Sequence, residues 1–121
     1  MRVVAVDLGK ARSGLAVSDE QGITARPLTT VPTDRLAEEL GKLIKSGVSA
    51  VVVGRPRTLS GDLGPQARWV EDQVERLKLA LPATFVYEDE TASTAEAEAD
   101  GDGSDAAAAR VILQGYLNER A

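Results

Sequence analysis

Short apolar runs alternate along this chain with apolar residues spaced three and four apart. Residues 2–8 form a Val-rich run that ends at Asp7 and Leu8, the composition of a strand buried on both faces. Gly9-Lys10-Ala11-Arg12 carries a turn signal, and Ser13 to Ser18 resumes strand character. Gly22 turns the chain again into residues 23–31. There Pro27, with no N–H for a ladder, predicts an edge strand or a bulge. Three successive antiparallel strands are expected.

Beyond Val31 the spacing changes. Pro32-Thr33-Asp34 predicts a helix start with one of the two polar side chains as its cap. Leu36, Ala37, Leu40, Leu43 and Ile44 then recur on one face, and Gly47 ends the run. Residues 50–53 read as a short buried strand, followed by a loop from Gly54-Arg55-Pro56-Arg57 through Gly61 and Gly64. Pro65 suits the first turn of a second helix, whose stripe is Ala67, Val70, Val74, Leu77 and Leu81. Residues 84–88 are the next strand. Ser93-Thr94-Ala95-Glu96 has capping-box spacing for a short helix, and Asp100-Gly101-Asp102-Gly103 reads as a loop. Ser104 is placed to cap a last helix running to about Asn118. The order predicts an α/β fold. Its sheet is mixed and five-stranded, three antiparallel strands followed by parallel ones, with flanking helices and right-handed crossovers.

A length of 121 residues gives room for one domain, 1–121, and one core, which excludes a separate substrate lobe. The absence of Cys and His has more consequence for chemistry. It excludes a thiolate or imidazole zinc site, a Ser-His or Cys-His nucleophile, a disulfide and a redox thiol. Catalysis must run on carboxylates, hydroxyls, Lys or Arg, or on a metal held by oxygen.

No apolar run approaches the roughly 20 residues that cross a bilayer, and the opening residues do not read as a secretory signal. A cytoplasmic protein with no membrane partner is expected. The net charge of −5 is uneven: residues 1–57 balance at +3 and residues 58–121 at −8. An acidic total disfavours nucleic-acid binding, because phosphate neutralisation supplies much of that affinity. The basic first half softens the objection.

Three acidic positions stand out. Asp7 ends an apolar strand on the face of Val3 and Ala5, and it is either a turn residue or a paired or cation-bound carboxylate. Glu88-Asp89-Glu90 closes the last strand, with positions 88 and 90 on one face; it is a solvated end or a cation site. Asp105 suits a helix N-terminus through the dipole, yet it shares the stripe of Ala109, Ile112, Leu113 and Tyr116 that faces the sheet. Taken together, inward acids from three separated segments suit Mg²⁺ or Mn²⁺. Two such ions about 4 Å apart would serve phosphodiester hydrolysis by metal-activated water, with neither His nor Cys. Lys10, Arg12, Arg55 and Arg57, read as loop residues, are candidates for nucleic-acid phosphates or ordinary surface charge. Trp69, Phe85, Tyr87 and Tyr116 are the few aromatics that could stack on bases, and most read as core.

The stretch from Asp7-Leu8-Gly9-Lys10-Ala11-Arg12 through Ser18-Asp19 resembles the opening motif of the YqgF (RuvX-like) family. Val52-Val53-Gly54-Arg55-Pro56, with Leu59-Ser60-Gly61 and Gly64, resembles its second motif. Tyr87-Glu88-Asp89-Glu90 with Ser93-Thr94 resembles its Asp-Glu-Arg motif, and the segment from Asp105 to Leu117 its C-terminal helix. The resemblance implies an RNase H-like fold and a cytoplasmic nuclease that matures the 5′ end of pre-16S rRNA. An older assignment in the family is Holliday junction resolution on branched DNA. Carried over by position, Asp7, Glu90 and Asp105 would be the catalytic, metal-binding acids, with Asp89 on the other strand face.

Two departures bear on activity. The family's Arg after the Asp-Glu pair is Thr91 here, so Arg12 or Arg55 would have to substitute. The stretch between Glu96 and Asp105 is also short and acidic where the family carries a basic loop. A nucleic-acid-binding module with weak or no catalysis is therefore the alternative of another class. A nucleotide site of kinase type has no second lobe to close it. The oligomeric state is open, with no coiled-coil or other dimer signal.

Overall fold

The computed structural model describes residues 1–58, 60–90 and 105–120, with the side chain of Glu90 outside that set. Five strands form one sheet: β1 (Arg2–Asp7), β2 (Arg12–Ser18), β3 (Ala25–Pro32), β4 (Val48–Pro56) and β5 (Thr84–Glu90). Their order is β3-β2-β1-β4-β5; β1–β2 and β2–β3 are antiparallel, β1–β4 and β4–β5 parallel. This is the mixed sheet expected. Among the described residues three α-helices flank it: α1 (Leu36–Lys45), α2 (Pro65–Ala80) and α3 (Asp105–Glu119).

The Val-rich strands β1 and β4 sit at the centre, where both faces are covered. Val4, Val6, Val51 and Val53 pack with Leu40, Val70 and Val74 of α1 and α2. Val3, Ala5 and Val52 pack on the other face with Ala109, Ile112 and Leu113 of α3. Period-two alternation thus assigns β1, and β4 from Ala50 onward, to an α1/α2 face or an α3 face, while the bulge at Ser49 puts Val48 with the α1/α2 cluster. Asp7 belongs to the α3 face.

Pro27 acts as expected on an edge strand: the β2–β3 register skips Leu28, since Leu15 pairs Thr29 and Ala16 pairs Pro27. Gly47, at φ +115°, ends α1 in the conformation that favours glycine. Several expectations need correction. Neither Thr33 nor Asp34 caps a helix: Thr33–Arg35 is a 3-10 turn without a side-chain cap, and α1 begins at Leu36. The Thr33 hydroxyl instead donates to the Gly9 carbonyl at 2.6 Å and lies 2.8 Å from the Ser13 hydroxyl, tying the β1–β2 turn to the end of β3. Gly54-Arg55-Pro56 is strand rather than loop, because β4 continues beside β5 to the pair Pro56–Glu90. Arg12 opens β2, so neither Arg12 nor Arg55 is a loop residue. The expected short helix at 93–96, the 100–103 loop and the Ser104 cap lie outside the described residues.

Candidate active site

The last residue of β1, Asp7, pairs with Gly14 of β2, and Gly14 lies against the first residue of α3. A Cβ added at Gly14 would stand 1.9 Å from the carbonyl oxygen of Asp105, nearer than any real contact. A glycine there lets the helix start rest on the strand beside Asp7. Buried Ala106, Ala107 and Ala109 continue the close approach. Two of the three expected acids therefore both border Gly14, Asp7 as its ladder partner and Asp105 through its backbone. Asp7 is half-buried, and the Asp105 side chain keeps 35% of its exposure, so both remain open to solvent on one side.

The third acid, Glu90, stands level with Pro56 at the end of β5. By the two-residue period, position 90 shares a strand face with positions 86 and 88, and Val86 packs on the α3 side. Among the described residues no group of three acids is close enough to share an ion. Asp7 and Asp105 supply carboxylate oxygens, a donor chemistry that suits Mg²⁺ or Mn²⁺.

Glu88 turns elsewhere. Burial, followed by its hydrogen bond with Glu119 of α3, pushes its pKa up to about 7. Asp89 is on the opposite face, as expected, and there it accepts three hydrogen bonds. Arg55 Nε donates to Oδ1 at 2.9 Å; Arg57 Nε and Nη2 donate to Oδ2 at 2.9 and 2.8 Å. The hydrogen bond from Arg55, with the further one from Arg57, holds the Asp89 carboxyl below its ordinary pKa despite partial burial.

The four expected phosphate-binding cations thus divide into two pairs. Arg55 and Arg57 are engaged by Asp89, and Arg55 also by Glu71 at 3.0 Å and by the Tyr87 ring at 4.6 Å. Lys10 is exposed and makes no ion pair among the described residues. Arg12 is 73% exposed, and among the described residues it makes a single loose pair, to Asp105 at 3.7 Å. Sequence reasoning had no signal for Glu71 as a partner of Arg55, since the pairing crosses from β4 to α2. Tyr87 and Tyr116 each lie beneath an arginine, Arg55 and Arg120 respectively.

No helix among the described residues is long and apolar enough to cross a membrane.

A family profile described as "RuvX: Holliday junction resolvase" matches residues 1–119. A protein of Anaeromyxobacter sp. (strain K) named "Putative pre-16S rRNA nuclease" is 40% identical, covering 100% of this chain and 99% of the relative. A protein of the same name from Sulfurihydrogenibium sp. is 38% identical over 97% of this chain and 90% of its own length. Another from Rubrobacter xylanophilus is 45% identical over 77% and 68%. Among solved structures, T. thermophilus RuvC in complex with Holliday junction substrate superposes with a TM-score of 0.64 at 18% identity, covering 99% of this chain and 95% of that one. The fowlpox virus Holliday junction resolvase superposes at 0.57 and 12% identity, over 98% and 99%. At these identities the two structures speak for the RNase H-like fold alone. The sequence match over nearly the whole chain decides membership: the chain belongs to the RuvX family of nucleases.

Proposed function

We propose that this chain is one nuclease domain that hydrolyses phosphodiester bonds in RNA with the help of Mg²⁺ or Mn²⁺, acting in the cytoplasm at the 5′ end of pre-16S rRNA. The catalytic carboxylates are Asp7, Glu90 and Asp105. The observation that supports the reading is that Asp7 and the backbone of Asp105, from opposite ends of the chain, both adjoin Gly14. The substrate follows from the names of the relatives that cover the whole chain.

A divalent ion bound there supplies Lewis acidity to activate water and to offset charge building on the phosphate. The protein's part is to aim the oxygens. Asp7 is carried on a strand with its Val neighbours wholly buried, and Asp105 on a helix seated against that strand's partner, so neither carboxylate depends on a loop for its place. Arg12 reaches Asp105 from β2 on the same sheet face as Gly14, and its exposure leaves it able to turn to a substrate phosphate.

A second reading, cleavage of branched DNA, has the family description in its favour. The test is a labelled panel of pre-16S RNA, duplex DNA and four-way junction DNA, each with and without Mn²⁺. The proposal expects Mn²⁺-dependent cleavage of the RNA. Cleavage confined to the junction favours the second reading, and binding without cleavage of any substrate overturns both.

A further inference from the structure

Pro56 closes β4 at the end of β5. It stands level with Glu90, and proline has no N–H to give. The pairing of β1 with β4 has already ended at Val53, so among the described residues β5 is the one strand beside it. Side chains add a tie at this end. Arg55 and Arg57 flank Pro56, and both grip the carboxylate of Asp89, one on each oxygen.

Each arginine is itself anchored. Arg55 Nη1 donates to Glu71 of α2 at 3.0 Å, and only 19% of its side chain is exposed. Arg57 Nη1 donates to the carbonyl of Gly61 at 2.7 Å, which fastens the loop after β4 to the same carboxylate. With two acids against two guanidiniums the cluster carries no net charge, so it is suited to bracing rather than to gripping phosphate. Shared, partly buried ion pairs of this kind hold geometry better than lone surface pairs.

The consequence falls on the neighbouring residue. Successive strand positions point to opposite faces, and a slip of one residue exchanges them. We propose that Asp89 is a positioning residue of the nuclease: clamped on the α2 side by Arg55 and Arg57, it holds the end of β5 so that position 90 belongs to the face of Asp7. The inference rests on the reading in which Glu90 is one of the catalytic acids.

The test uses the full chain, a labelled RNA bearing the 5′ extension of pre-16S rRNA, and Mn²⁺ binding by calorimetry. Asp89→Asn and Arg57→Gln are each expected to lower kcat roughly tenfold, with KM changed by no more than about twofold, since a misplaced group costs rate more than binding. Both should weaken Mn²⁺ binding. Because the two residues act as one unit, the double variant should be no worse than the more impaired single variant. An unchanged kcat in either folded single variant, a change in KM alone, or losses that multiply in the double variant overturns the proposal. If Asp89→Asn does not fold, Arg57→Gln, altered beyond the end of β4, carries the same kcat criterion. Asp7→Asn separates the two levels: if it cleaves normally, the reading beneath has failed. If it is inactive while Asp89→Asn is normal, only the role of Asp89 has.

Discussion

Gly14 and Asp105 meet with no room for a side chain between them: a Cβ at Gly14 would lie 1.9 Å from the Asp105 carbonyl oxygen and 2.0 Å from its carbon. Both atoms are backbone, so a rotamer change cannot relieve the clash. Gly14→Ala must lift the start of α3 from β2, and overpacking of this kind costs about 1–3 kcal/mol or more. The separation of Asp105 from Asp7 changes with it. Urea unfolding should therefore show a lower midpoint, and the folded remainder should lose most of its cleavage. Wild-type stability and rate would show that the helix start does not bear on the strand.

The division of the four cations predicts how salt acts on binding. Lys10 is exposed and Arg12 carries only a loose pair to Asp105, so both can turn to phosphates, while Arg55 and Arg57 are held by Asp89. Each lost phosphate contact lowers the slope of log K against log salt by roughly one. Lys10→Ala with Arg12→Ala should flatten the slope by about one to two units. Arg57→Gln should leave it unchanged, even though it impairs turnover. A flatter slope for Arg57→Gln instead would place Arg57 on the phosphate path.

Glu88 gives the protein a pH-dependent stability. Its folded pKa is raised from 4.5 to about 7 by burial and by the hydrogen bond with Glu119, so between these values the folded state holds a proton that the unfolded state has released. Stability from this group is full below the unfolded value and is lost as pH rises through about 7. In chelator, the melting temperature should fall over that window, and Glu88→Gln, which stays neutral, should remove much of the fall. An identical pH profile in the variant contradicts the assignment.

The strands, the three described helices and the sheet's mixed pairing are legible in the sequence because burial on two faces and on one face leave different periods. The face of Asp7 was legible for the same reason, since parity needs no tertiary knowledge. Gly14 carried no such signal: its role depends on which helix lands on it. Arg55 reads as a loop cation because Gly and Pro at positions 54 and 56 look like punctuation, whereas pairing with β5 extends the strand through both. Thr33 and Asp34 both suit a cap by their place before an apolar stripe, but a carbonyl of the β1–β2 turn takes the Thr33 hydroxyl instead. In each case the deciding partner is distant in the chain.

The most direct measurement of the central claim is Mn²⁺ titration by calorimetry on the wild type, Asp7→Asn and Asp105→Asn, with cleavage of the pre-16S RNA followed on the same samples. Wild type should bind Mn²⁺ and cleave, while each folded variant should lose the binding heat and the cleavage together. Undiminished Mn²⁺ binding and cleavage in either variant would contradict a shared ion between β1 and α3.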